Sequence, residues 1–461
     1  MAQVALIHSF SKSILSMTSI DDATFPLHSH FEVCRVWPAD FPGFGRGMRC
    51  TEDVRKGDEF LSIPLEKCWT VAAARLCPEI AALGEDVLEC VSEYSLIAIH
   101  MLVMKNQGAD AEDFRREHLE LLSTAQFETL LDWSEEDLAM LAGSKWAIVA
   151  PACKEDIELE FSELQEVLPD FFATHRITSA AFLWAHRMLI SRAVQFFNED
   201  GSMLYVLGGA DLLNHSVDVP VGNDDVQVHR SSETDKRILA VRACRDYRVG
   251  EQAFISYSNA SNGRLLMSAG FVVADNPYDA VELTLTFPVN GASLPFYLEL
   301  AEGLEAGLRT PGSAVAEETK AEFLETLPHD SEQPTEVALH VHLTQGALLA
   351  QLERVLAFIK LDHLCRGNKS PTREAILACD ADPSSRTIAL QRLTAALNSM
   401  LKNYVRPLKE DQDELPQVVA AAATGDSKAK RKAMALQVLI GEKLIFSKAL
   451  QLLETTMTGK R

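Results

Sequence analysis

The stretch Asp211-Leu212-Leu213-Asn214-His215-Ser216 decides how this chain is read. An apolar run containing Ala210, Leu212 and Leu213 ends abruptly on three polar side chains. An ordinary turn would account for such an ending, because Asn tolerates unusual dihedrals and satisfies its own backbone. The pair also has chemical capacity: Asn214 carries amide donors and a carbonyl acceptor, and His215 a ring face and backbone groups. No second His or carboxylate lies at ligand spacing, so the pair suits an adenine or amino-acid moiety better than a metal. The apolar run is read as a strand that delivers Asn214 and His215 to its end.

About 40 residues on comes EQAFISYSNASNGRLLMSAGF, residues 251–271. Ala253, Ile255 and Tyr257 share one face of the strand that opens it. A tyrosine there is usual core material, but one beside a polar loop lies where sites form. Ser261 and Asn262 read as caps of a short helix that Gly270 ends. A third segment, Phe44-Gly45-Arg46-Gly47, combines two glycines that let a backbone approach something closely.

With 461 residues, 47% of them hydrophobic, the chain can bury a large core in two domains or more. No apolar run reaches membrane-spanning length, so the chain reads as soluble, with no membrane partner. Acidic residues outnumber basic ones, 66 to 43, for a net charge of -23. That lacks the basic footprint of nucleic-acid binding and suits a cationic protein segment or small molecule. Nine cysteines are scattered singly, which predicts neither a structural metal nor a disulfide framework and fits a reducing compartment. Residues 1–24 carry only Lys12 as a basic side chain, poor material for an export or organelle address. The cytoplasm or nucleus is the expected location, with weak support for a plastid.

Residues 31–70 read as short strands broken by turns, with Gly57 at one of them. Residues 80 to about 190 carry a helical period, and YSLIAIHMLVMKN is apolar all round, as a buried helix is. In WSEEDLAMLAGS, Ser134 reads as cap, Glu135, Glu136 and Asp137 as the acidic first turn and Gly143 as stop. Strand signals return over 204–257. Residues 309–335 read as a polar connection. Three amphipathic helices follow, on Leu348/Leu352/Val355/Ile359, on Leu390/Leu393/Leu397/Leu401/Tyr404, and on Leu436/Leu439/Leu444/Leu450. The first stops at Gly367-Asn368 ahead of Pro371 and the second at Pro407. The predicted class is α+β: an N-terminal extension (1–24), a β-fold interrupted by a helical insert (25–282) and an all-α C-terminal domain (283–461).

Taken in order, GFGRGM, Pro64-Leu65, WSEEDLAMLAGS, FLWAHRMLISRA, DLLNHS, the 251–271 stretch running into NPYD, NYVRPLKEDQDEL and IGEKLIF resemble the SET-domain protein methyltransferases. The likeness is to the branch that includes Rubisco large-subunit lysine methyltransferase and related lysine and histidine methyltransferases of non-histone proteins. It implies a SET-type fold with a knot-like crossing and S-adenosylmethionine as cofactor. By that resemblance Phe44, Gly45 and Arg46 lie against the cofactor, and Asn214 and His215 hold it. Arg192 reaches the cofactor's carboxylate or lines the substrate channel, Tyr257 is catalytic, and Asp211 lies beside the target side chain. The C-terminal helices would dock a protein substrate, with the enzyme acting as a monomer. Two channel positions depart from the branch: Ala269 precedes Gly270-Phe271 where a tyrosine is common, and the segment around Val226 reads NDDVQV. Lysine is the expected target, supported by Ser191-Arg192-Ala193. Histidine methylation and a non-catalytic SET-like interaction protein stand as alternatives.

Overall fold

A computed structural model describes residues 25–106, 113–125, 127–197, 203–219, 225–231, 235–290, 292–308, 324–328, 334–367 and 383–458. The N-terminal extension 1–24, Cys379, Asn368, Pro371 and most of the polar connection at 309–335 lie outside these residues. The chain divides into two compact units, Met1–Leu131 with Ala152–Asn259 and Asp132–Pro151 with Ala260–Arg461.

In the first unit the strands are β1 (Val33–Cys34), β2 (Val36–Phe41), β3 (Gly45–Cys50), β4 (Glu59–Pro64), β5 (Val194–Phe197), β6 (Met203–Val206), β7 (Asn214–His215), β8 (Val226–Arg230), β9 (Arg237–Arg242) and β10 (Gln252–Ile255). They form one sheet of order β1-β4-β9-β8, another of order β2-β3-β10-β7, and the hairpin β5-β6. Leu61, Ile63, Leu239 and Val241 of the first sheet and Val36, Met48, Ala253 and Ile255 of the second belong to a single buried cluster. The pairing of β10 determines where the site lies. It runs antiparallel to β3, with Ala253 opposite Met48, and parallel to β7, with Phe254 opposite Asn214 and Ile255 opposite His215. A parallel pair needs a long return path, and here the chain makes it through β8 and β9 in the other sheet.

Helices fill the sequence between β4 and β5. Glu93–Asn106 is buried without a break from Ser95 to Val103, as its all-round apolar pattern predicts. Thr178 caps Ser179–Arg192 by accepting a hydrogen bond from the Ala181 amide, and that helix carries Arg192 in its last turn.

Two expectations for this unit need correction. The apolar run before Asn214 is not a strand: Gly208 and Gly209 take φ of 149° and 83°, and Ala210–Leu212 forms a 3-10 turn. The strand ahead of Tyr257 ends at Ile255, so the tyrosine sits in the loop beyond it.

In the second unit Ser134 caps the acidic helix Glu135–Leu138, and Ser261 caps Asn262–Ala269, which Gly270 ends at φ 78°. The class is α+β, but the C-terminal part is not all helical. Strands β11 (Ala280–Pro288), β12 (Leu324–Pro328) and β13 (Pro334–Thr344) form an antiparallel sheet of order β11-β13-β12. Val337, Leu339, Val341 and Leu343 alternate inward along β13 and join Leu352, Val355, Leu390, Leu393, Ile445 and Phe446 in one core. Packing on that face holds the strand, which helical periodicity could not. The second C-terminal helix, Pro383–Leu401, stops short of Tyr404 and Pro407. Pro407 does not end it but is the N-cap of a further helix, Leu408–Ala422.

Several of the segments that carry the family resemblance meet in this second unit and serve its architecture. Glu442 is buried and accepts hydrogen bonds from Ser144 Oγ (2.9 Å) and the Tyr404 hydroxyl (2.8 Å). Its neighbour Gly441 leaves room for the Asp279 carboxylate, which a Cβ there would strike. Asp279 in turn accepts from the amides of Asn262 (2.9 Å) and Ala280 (3.2 Å). Asp411 and Lys443 form a further buried ion pair.

Burial pushes Glu442 up to about 7 and Asp279 up to about 6. A carboxyl whose pKa is higher folded than unfolded holds its proton longer in the folded state. The contribution of this pair to stability therefore falls as pH rises from the ordinary 4.5 toward 7 and then levels off. His100, His186 and His215, which burial lowers to about 4, act in the opposite direction over the same window. The Glu442 contribution is therefore read as a difference: thermal unfolding should show Glu442→Gln gaining stability relative to the parent as pH rises through that window. Parallel curves for parent and variant would show that Glu442 is not the titrating group.

Candidate functional site

The pairing of β10 with both β3 and β7 brings three distant segments together. Gly45 opens β3 at φ 71°. Phe44 beside it is 55% exposed, its ring edge-on to Phe254 at 5.4 Å. Asn214 Nδ2 donates to the Arg46 carbonyl at 3.1 Å. This approach is close enough that a Cβ on Gly47 would fall 2.6 Å from both Asn214 Nδ2 and Gln252 Nε2. The glycines Gly45 and Gly47 thus serve two different needs, an unusual dihedral and bare proximity.

Tyr257 closes the other side. Its amide donates to His215 Nδ1 at 3.0 Å, and its hydroxyl donates to the Leu213 carbonyl at 2.9 Å. A backbone N–H can only donate, so Nδ1 is unprotonated and the neutral ring carries its proton on Nε2. Burial lowers His215 to about 4, which keeps the ring neutral. The rings of His215 and Tyr257 lie 5.3 Å apart, tilted by 36°. Tyr257 is 38% exposed overall, yet its hydroxyl lies deep. Burial there, with Arg192 opposing and Asp211 adding, pushes the phenol up to about 12. It is a neutral donor whose oxygen keeps acceptor capacity.

Arg192 Nη1 donates to the Asp211 carbonyl at 3.1 Å and lies 3.8 Å from its carboxylate. Its guanidinium sits over the Phe127 ring, 5.1 Å from the centroid. Asp211 was expected beside a target side chain. Its side chain is instead 0% exposed and turns inward, where Oδ2 accepts from His118 Nε2 at 2.9 Å. Burial opposes ionisation of Asp211, but His118 and Arg192 outweigh it and hold the carboxyl below its ordinary range.

The structure therefore assembles Phe44, Gly45, Arg46, Arg192, Asp211, Asn214, His215 and Tyr257. Val226 lies in the other sheet, at the start of β8 opposite Val241. Ala269 ends a helix of the second unit. Sequence reasoning missed the Leu213 carbonyl, Phe127, His118 and Trp69. His118 stands on the buried face of Phe114–Ser123 with Leu119 and Leu122, where a single histidine reads as core. Nothing local points to its partner 93 residues away. Among the described residues no cluster of His, Cys, Asp and Glu is placed to hold a metal ion.

A SET-domain family model matches residues 45–258, and a Rubisco LSMT substrate-binding model matches residues 317–446. The chain thus joins a SET domain to a domain of the Rubisco LSMT substrate-binding type. It is 28% identical over 273 residues to the chloroplastic [fructose-bisphosphate aldolase]-lysine N-methyltransferase of Arabidopsis thaliana, covering 57% of this chain and 53% of that protein. It is 24% identical over 264 residues to the chloroplastic ribulose-1,5 bisphosphate carboxylase/oxygenase large subunit N-methyltransferase of Pisum sativum, covering 56% and 52%. The match therefore spans about half the length of these curated relatives. The actin-histidine N-methyltransferase of Callithrix jacchus is 23% identical over 434 residues, covering 89% and 64%. The fold is that of the solved SET domain of LSMT bound to lysine and AdoHcy, with a TM-score of 0.65 at 18% identity, covering 92% of this chain and 87% of that one.

The contact at Gly47 yields a direct test. Gly47→Ala must push away the amides of Asn214 and Gln252, so it should destabilise the protein by roughly 1–3 kcal/mol, the ordinary cost of overpacking. Chemical denaturation measures this, and a variant as stable as the parent would show that Asn214 does not sit against β3.

Proposed function

We propose that this chain is an S-adenosylmethionine-dependent protein N-methyltransferase whose target is a lysine of a non-histone protein. The observation that carries the reading is the junction at β10, which brings the bare glycine strand, Asn214, His215 and Tyr257 to one place. The site fits the cofactor chemically. Gly45 leaves the main chain at the start of β3 exposed, and Asn214 and the backbone offer donors and acceptors for an adenine or amino-acid group. Phe44 presents an exposed ring. Arg192 supplies a cation suited to the cofactor's carboxylate.

The cofactor would supply a methyl group on a sulfonium. In the transfer the sulfur–methyl bond breaks as a nitrogen–methyl bond forms, and the sulfur leaves as a neutral thioether. The amine attacks through its lone pair, so its proton must first leave to solvent. A free lysine titrates at about 10.4, and enclosure among apolar groups lowers that value. The protein's part is alignment and a fixed electrostatic setting. Tyr257 is well suited, since its proton is spent on the Leu213 carbonyl and its oxygen keeps lone pairs that could accept from a polarised methyl.

Ser191-Arg192-Ala193 and the relatives that methylate lysine support lysine as the target. Histidine is the second reading, favoured by the longer match to the actin-histidine enzymes and by the absence of tyrosine at Ala269 and Val226. The C-terminal region from residue 283 would dock the protein substrate. The net charge of -23 supports a cationic protein segment over nucleic acid as partner. The same reading has the enzyme working as a monomer in the cytoplasm or nucleus.

Labelled cofactor incubated with the protein and a cell lysate, followed by digestion and mass spectrometry, tests the reading. Methyl on lysine is the expected outcome, and methyl on histidine selects the second reading. No label together with no cofactor binding by calorimetry would leave an interaction protein. Tyr257→Phe should keep cofactor binding and lose turnover by about 100-fold, the usual cost of one positioned polar group at a reacting centre. Undiminished turnover would remove Tyr257 from its role.

A further inference from the structure

Behind the site lies a buried polar chain to which the methyl-transfer reading assigns nothing. Trp69 Nε1–H donates to His118 Nδ1 at 3.1 Å. An indole N–H cannot accept, so Nδ1 is unprotonated and the histidine proton is on Nε2, which donates to Asp211 Oδ2 at 2.9 Å. Trp69 and His118 are fully buried, as is the Asp211 side chain. Phe114 stacks on the His118 ring at 5.2 Å.

Burying an ionised carboxylate is costly, and well-packed apolar side chains commonly serve stability as well or better. The buried group here meets a particular mechanical need. Gly208 and Gly209 form a turn with no side chains to fix it, and the residues just beyond supply the site. Asp211 offers its carbonyl to Arg192, and Leu213 offers its carbonyl to the Tyr257 hydroxyl. Trp69 fastens this turn from both ends. Its main chain pairs with Leu207 in both directions, at 2.9 and 3.1 Å, just before the glycines. Its indole reaches through His118 to Asp211 just after them.

We propose that His118 is a positioning residue of the site. Fixed in one tautomer by Trp69, it holds Asp211, and through Asp211 it sets the Leu213 carbonyl and the Arg192 guanidinium against Tyr257. The inference rests on the proposed methyl transfer for its kinetic test, but not for its tautomer test. It also explains why Asp211 faces inward: the carboxylate grips the turn, and only the main chain of the turn meets the site.

Two amide substitutions separate the two halves of the imidazole. His118→Gln places an N–H near the position of Nε2 and keeps the bond to Asp211. His118→Asn places its amide near Nδ1, so it can satisfy Trp69 but cannot reach Asp211. The Asn variant leaves the buried Asp211 carboxylate without this donor, so the folded fraction of each variant is measured by circular dichroism and kcat is expressed per folded enzyme. The Gln variant should turn over within a few-fold of the parent. The Asn variant should lose at least about tenfold in kcat measured at saturating cofactor, as a slight misplacement of reacting groups does. Equal kcat for the two, or a loss confined to cofactor binding, overturns the proposal. Nitrogen-15 NMR of the parent imidazole gives a readout independent of turnover: the proton on Nε2 is expected, and a proton on Nδ1 overturns the proposal. Should the parent transfer no methyl to any protein, the proposed function fails, while the tautomer still decides the His118–Asp211 contact.

Discussion

The site depends on two hydrogen-bonded borders of one four-residue strand. On one side β10 faces β3, whose Gly47 admits the Asn214 and Gln252 amides. On the other it lies parallel to the two-residue strand Asn214–His215. Neither border would persist alone, because two residues of parallel pairing contribute little by themselves. They are held by what flanks them. Ala253 and Ile255 are buried in the core, and the His215 ring accepts from the Tyr257 amide two residues past the strand. The geometry of the proposed chemistry is thus a by-product of core packing. The apolar residues of β10 fix its position, and its neighbours on both sides bring the polar groups.

Much of this was legible from the chain. Gly45, Asn214 and Tyr257 announce themselves locally, because a glycine pair, an Asn-His ending and a tyrosine at a loop rim each break the pattern around them. Their convergence was not legible from spacing, since Asn214 and Phe254 meet through a parallel pairing that no short turn signals. His118 was illegible for a different reason. A lone histidine among Phe114, Leu119 and Leu122 looks like core, and it is core; its partners Trp69 and Asp211 lie 49 and 93 residues away. The alternation in Val337 to Leu343 was visible, but its partner strand β11 begins at Ala280. That separation hides the pairing.

The second unit shows why likeness of motif is not the same as likeness of site. NPYD, IGEKLIF and WSEEDLAMLAGS all contribute to the family resemblance. In the structure they contribute to one another: Asp279 fits against Gly441, Glu442 takes hydrogen bonds from Ser144 and Tyr404, and Lys443 neutralises Asp411. Ser144, Asp279, Asp411, Glu442 and Lys443 are all buried within the fold. Selection acting on such a network concerns folding of that unit, and it leaves recognisable sequence as surely as catalysis does. Glu442 and Asp279 still carry a cost there, since burial raises both, and the Asp279 charge adds to the rise at Glu442.

The electrostatics of the first unit run the opposite way. Tyr257 is raised and His215 lowered, so both stay neutral throughout the ordinary pH range. Of the gathered side chains, Asp211 and Arg192 carry charge close together at 3.8 Å, and the carboxylate is sealed away from solvent. What faces the site is a set of oriented dipoles: the Arg46 and Leu213 carbonyls, the Asn214 amide and the phenol. An approaching ammonium would find no exposed carboxylate among them to hold it in its charged form. Desolvation then works toward loss of its proton, while the fixed dipoles remain to meet a positively charged methyl donor. A buried carboxylate that grips the turn without meeting the substrate reconciles these two demands. It supplies order to the site, and Arg192 beside it offsets the negative charge that would favour a protonated nucleophile.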